Sequence, residues 1–238
     1  MNRRDALISL VQLTALGVAS SAGAAVINTH TPMPVGTLPD ALPKPPRKGE
    51  RLYLTPDEAR EVGAIFDRLI PEDELGMSAS QAGCVDFIDR ELAGDFGKAA
   101  STYRLGPFQP GTPEQGPQFQ LTPAERYRVG LKDLTSYCQA KYGMVFSGLA
   151  GDSQDELLKE MEAGKIKVAP SLSAEFFALL LQNVREGYLA DPMYGGNRDM
   201  VGWKLIGFPG ARYDYRPYIH KKGVALNLEP MSLLDRSI

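Results

Sequence analysis

Imidazole and thiol groups are scarce in this chain. Its 238 residues include two histidines, His30 and His220, two cysteines, Cys84 and Cys138, and a single tryptophan, Trp203. No Cys-x-x-Cys-His occurs, which excludes the attachment signature of a c-type haem, and so few separated soft ligands do not make a zinc or iron–sulfur site. No Gly-x-Gly-x-x-Gly follows a strand pattern, so the backbone cradle for a dinucleotide pyrophosphate is missing. Glu72-Asp73-Glu74 lacks the ligand spacing of a calcium hand and reads as a solvated acidic turn. The net charge of −3 comes without a clustered Lys/Arg face, which removes the footprint of a nucleic-acid binder. Sustained apolar/polar alternation is also lacking, and with it the main signal for a sheet.

What the chain does have begins with a targeting pattern. Arg3-Arg4 precede a modest apolar stretch from Ala6 to Ala19, and Ala22-Gly23-Ala24 offers small residues for cleavage after Ala24. Residues 1–24 thus resemble a twin-arginine export signal, with Ala6 where phenylalanine is usual. An ordinary secretory signal or an uncleaved anchor are the alternatives. Residues 25–50 carry prolines at 32, 34, 39, 43, 45 and 46 and few bulky apolar groups, the composition of an extended arm.

Residues 51–212 carry the helical patterns. Thr55-Pro56-Asp57-Glu58 combines an N-cap, a proline at the first helical position and a capping-box glutamate, and Val62, Phe66 and Leu69 recur at helical spacing up to Pro71. Thr122-Pro123-Ala124-Glu125 repeats that start, with Tyr127, Leu131, Leu134 and Cys138 on one face and Gly143 as the stop. Further helices are predicted from Ser80 to Leu92, from Lys98 to Leu105, from Asp152 or Ser153 through Met161, and from Ser173 to Tyr188. The last is the most apolar and should sit at the centre of a bundle, against the Thr55 and Thr122 helices. Asp86, Asp89 and Glu91 fit an exposed helix side. The predicted fold class is all-α: an irregular helical bundle with long loops, followed by an extended tail over residues 213–238.

Backbone punctuation concentrates between Glu186 and Gly210. Glycines at 195, 196, 202, 207 and 210, with Pro192 and Pro209, favour a fixed irregular surface over a regular helix. Tyr194, Asn197, Arg198, Asp199, Trp203 and Phe208 give it the mixture of aromatic and charged groups found at interface centres, and form the candidate partner surface. Gly195–Asp199 also admits an anion-binding nest with Arg198, or a turn locked by an internal Arg198–Asp contact. Trp203 is either a core anchor or an interface residue. For Cys84 and Cys138 three readings stand: a disulfide with each other, two buried free thiols, or a bond to another subunit.

The run DPMYGGNRDMVGWKLIGFPG, with DRLIPEDELGMSASQAGCVDFIDREL near residue 67 and LTPAERYRVGLKDL near residue 121, resembles the small (third, or gamma) subunit of gluconate 2-dehydrogenase-type complexes. The likeness runs in the same order from about residue 50 to residue 215. It implies a subunit with no catalytic residue, cofactor or metal of its own, accompanying a FAD-dependent sugar or sugar-acid dehydrogenase subunit and a multihaem cytochrome c. It further implies a periplasmic place, peripheral to the inner membrane through the complex. The competing reading is an independent small periplasmic enzyme or ligand-binding module built on Gly195–Asp199.

Overall fold

The computed structural model describes residues 50–104, 106–109, 111–112, 120–212 and 214–234. The chain divides into two units, Met1–Leu42 and Pro43–Ile238, and every described residue belongs to the second. The export signal with Arg3, Arg4 and Ala24, nearly all of the proline-rich arm, and Tyr213 lie outside the described residues.

Six α-helices carry the architecture, and the described residues contain no strand. Helix α1 spans Pro56–Leu69, α2 Cys84–Ala93, α3 Pro123–Tyr142, α4 Gly151–Glu162, α5 Ala174–Leu189 and α6 Val201–Ile206. The predicted all-α class holds. Both threonine starts are complete capping boxes: Thr55 and Thr122 each accept from the N3 backbone, while Glu58 and Glu125 accept from the cap backbone. Gly143 ends α3 in the left-handed conformation, as its position predicts.

Three boundaries differ from the pattern-based expectation. Helix α2 starts four residues after Ser80, because Gly83 takes φ of 86° and interrupts helical geometry there. No helix forms over residues 98–104; Ala99 sits at φ of 53°, which breaks the run into turns, and Leu105 lies outside the described residues. Helix α4 starts at Gly151 with no side-chain cap, so Asp152 lies in the first turn, where its charge still favours the helix N-terminus.

The core gathers one apolar stripe from each long helix. Val62, Ile65 and Phe66 of α1 meet Val85, Ile88 and Leu92 of α2, Leu131 and Leu134 of α3, Leu157 and Met161 of α4, and Leu180 and Val184 of α5. Helix α5 is central, as its wide apolar face predicts, and it touches both expected helices, but its largest contacts lie elsewhere. It packs chiefly on α2 and α4, then on α1. It meets α3 through the edge-to-face pair Tyr127–Phe176 and the bond from the Tyr127 hydroxyl to Asn183. Gly187 permits the approach to α2: a Cβ there would lie 2.9 Å from the Phe87 ring.

Candidate functional site

Helix α2 places two carboxylates three residues apart on one side, Asp86 and Asp89. The expectation that they face solvent is corrected: Asp86 is 6% exposed and Asp89 fully buried. A buried carboxylate requires donors, and both have them. Asp89 accepts three consecutive backbone N–H groups, from Leu52 at 2.6 Å, Tyr53 at 3.1 Å and Leu54 at 2.7 Å. Asp86 accepts from Arg51 Nη1 at 2.5 Å and also from Arg198 Nη2. The two acids therefore pin the segment before α1 to α2, and Asp86 joins that segment to the Arg198 loop. The Arg198–Asp contact that forms is not internal to the loop: its acid is Asp86 on α2.

The loop after α5 is held at nearly every residue. Asp191 accepts from Met193 N at 3.0 Å, which starts the turn Pro192–Tyr194. Gly196 backs onto α5 so closely that a Cβ would lie 2.0 Å from the Gly187 carbonyl oxygen. Asn197, fully buried at φ of 48°, donates to Ala190 O and accepts from Gly202 N, both at 2.8 Å. Arg198 N donates to Ala82 O at 2.9 Å, which ties the loop to the turn before α2. Asp199 and Met200 both stand at φ of 55°; non-glycine residues in this region cost about 1–2 kcal/mol each and persist where surrounding contacts fix them. The N–H groups of Gly195, Arg198 and Met200 are taken by protein carbonyls, which favours a structural loop over an anion nest.

Trp203 anchors the end of this stretch. Its side chain is 5% exposed, donates from Nε1 to Leu189 O at 2.7 Å and meets Phe208 edge-on at 5.3 Å between ring centroids. The tail then returns to the same place. Asp191 accepts from Ser232 Oγ at 2.7 Å and Leu233 N at 2.9 Å, while Met231 pairs with Pro209 and Ala211 through backbone bonds. The segment over residues 214–234 carries a short 3-10 turn at Arg216–Tyr218 and further turns at 219–220, 222–223 and 233–234, with extended backbone between them, and its last described residues cover this chain's own bundle.

The six candidate interface residues separate by exposure. Tyr194, Phe208 and Asp199 are exposed, and the Arg198 side chain is 29% exposed. Asn197 and Trp203 are corrected as direct contact residues: both are buried and support the surface from beneath. Arg198 separates two clefts. One, of about 480 Å³, is lined by Arg51, Arg60, Ser80, Asp86 and Arg198 among others. The other, of about 630 Å³, shares Ser80 and Arg198 and adds Glu72 and Asp199. Arg51, Arg60 and the bridging role of Asp86 escape sequence reasoning. The available signal is that Asp86 and Asp89 interleave with Val85 and Ile88 on a short helix with no fully polar side.

Chemistry elsewhere is quiet. Cys84 and Cys138 are buried free thiols, so the bridge between them is corrected. Burial pushes each thiol up to about 12, far from a nucleophilic thiolate. No group of three His, Cys, Asp or Glu side chains suited to a metal ion occurs among the described residues. None of their helices is long and apolar enough to cross a membrane.

No curated protein and no solved structure matches the chain. Residues 56–210, from the first residue of α1 to the end of the Trp203 turn, match the family described as gluconate 2-dehydrogenase subunit 3. That match covers well over half of the chain and all six helices, and the chain accordingly belongs to the gluconate 2-dehydrogenase subunit 3 family.

Proposed function

We propose that this chain is a cofactor-free accessory subunit that binds the FAD-dependent subunit of a sugar or sugar-acid dehydrogenase complex. It supports the folding and solubility of that subunit and lends it a twin-arginine address for export to the periplasm. In this reading FAD belongs to the dehydrogenase subunit. Haem c belongs to a multihaem cytochrome c, which passes electrons onward and carries the assembly to the inner membrane.

The observation that carries the reading is family membership over residues 56–210, since the family is named for one subunit of a larger dehydrogenase. The geometry supports it. The charged groups of the Arg198 region are engaged in holding a loop in one shape, with Asp86 and Asp89 inside the fold and Tyr194, Phe208 and Asp199 outside. Such a fixed, mixed surface suits docking, because little ordering entropy remains to be lost on association. Export fits the same logic: flavin loads in the cytoplasm, so the loaded subunit must travel folded, and one leader then serves both chains.

Co-expression of the flavoprotein subunit with this chain, without it, and with Arg3 and Arg4 both changed to lysine tests the reading. The expected result is periplasmic flavoprotein activity only with the unaltered chain, and cytoplasmic retention with the lysine variant. Equal yield, activity and export in all three would contradict it.

A further inference from the structure

We infer that the cleft between α1 and the Arg198 loop receives a carboxylate side chain of the flavoprotein partner. The inference deepens the proposed function and rests on it.

The cleft holds three cations, Arg51, Arg60 and Arg198, and one anion, Asp86. Both Asp86 oxygens are already in use, one accepting from Arg51 and the other from Arg198. A single buried charge therefore orients two guanidinium groups. A guanidinium carries five N–H donors. Among the described residues, Arg51 uses only Nη1, and Arg198 adds to its Asp86 bond one long contact of 3.4 Å to Gln81 O. Arg60 is bonded to Asp57 within its own helix, where both side chains are largely exposed and the pair is weak. The cleft is thus positively charged and rich in donors already fixed in direction.

Partial burial raises the worth of that charge. Arg51 and Arg198 are 27% and 29% exposed, so solvent reaches them but screens them less than a surface cation. A carboxylate is the planar acceptor that matches a guanidinium fork, and at 480 Å³ the cleft has room for an acidic side chain with ordered water. The adjoining cleft has the opposite character, with Glu72 and Asp199 beside the shared Arg198. A partner acid is attracted to the first and repelled by the second, which sets its register on this face.

The test is the variant Arg60→Glu. Its side chain lies on the rim, outside the Asp86 network, so circular dichroism and melting temperature should match the wild type. Lys165→Glu, an exposed residue outside both clefts, makes the same change of charge as a control. Binding of each purified chain to the flavoprotein subunit is measured by titration across a range of salt concentrations. Arg60→Glu is expected to weaken binding about tenfold at low salt and to flatten the salt dependence, with Lys165→Glu within about twofold of wild type. Equal binding by Arg60→Glu and wild type overturns the inference while leaving the accessory-subunit reading intact. Failure of the wild type to bind removes that reading and the inference with it. Gluconate that raises the melting temperature of the wild type but not of Arg60→Glu, with complex formation unaltered, would assign the cleft to a small sugar acid and overturn docking.

Discussion

Asp89 contributes out of proportion to its size. Three backbone N–H groups converge on one fully buried carboxylate, and among the described residues no other acceptor is bonded to them. Asp89→Ala leaves the buried Leu54 N–H without its acceptor and the part-buried Leu52 and Tyr53 N–H groups to solvent, so unfolding free energy should fall by about 1–3 kcal/mol, the cost of about one unsatisfied buried group. Urea denaturation measures this; a loss under about 1 kcal/mol would mean that water replaces the carboxylate. Glu91, two residues further, behaves in the opposite sense. Burial, with Glu186 nearby, raises its carboxyl above the ordinary range. The folded chain then holds this proton more tightly than the unfolded chain, so stability falls as pH rises from the unfolded value through the folded one. Glu91→Gln is accordingly expected to raise the urea midpoint at pH 7, with the difference closing below about pH 4. An equal gain at both pH values would place its origin elsewhere.

Among the elements, α1 and α3 are the most legible from sequence because their start signals are local. A threonine, a proline and a glutamate within four residues satisfy the cap without help from the rest of the fold. The apolar face of α5 is equally legible, since burial simply follows its pattern. Helix α2 is less so. Its start depends on Gly83, where a Cβ would lie 2.5 Å from the Gly195 carbonyl oxygen over a hundred residues away, and its buried acids depend on Arg51, Arg198 and the backbone of residues 52–54. No window on the helix contains those partners. The candidate surface divides the same way: glycine and proline density reveals an irregular loop, whereas only the fold shows that Asn197 and Trp203 are its buried supports.

The tail belongs to the same scale. Met231, Ser232 and Leu233 close over the Trp203 turn, and Gly210 lies against both Met231 and the indole. Removal of residues 220–238 should therefore expose Trp203. As the sole tryptophan, it reports this cleanly, through a red shift of its emission at unchanged helical content. Emission identical to that of the full chain would mean that the bundle alone buries the indole.

For the whole molecule, the family match and the fold point in one direction. The five long helices share a single core against which Val201 of α6 packs, and the residues that hold the irregular face are bonded inward. Several apolar side chains beside that face stay outside, among them Leu205, Ile206 and Phe208. Exposed groups of this kind, set on a rigid support, are what a stable partner would cover. Whether this chain holds the flavoprotein subunit is decided by sedimenting the two purified chains together and following flavin absorbance. The flavin band is expected to move to a faster-sedimenting species containing both polypeptides. Independent sedimentation of the two chains at micromolar concentration and low salt would contradict it.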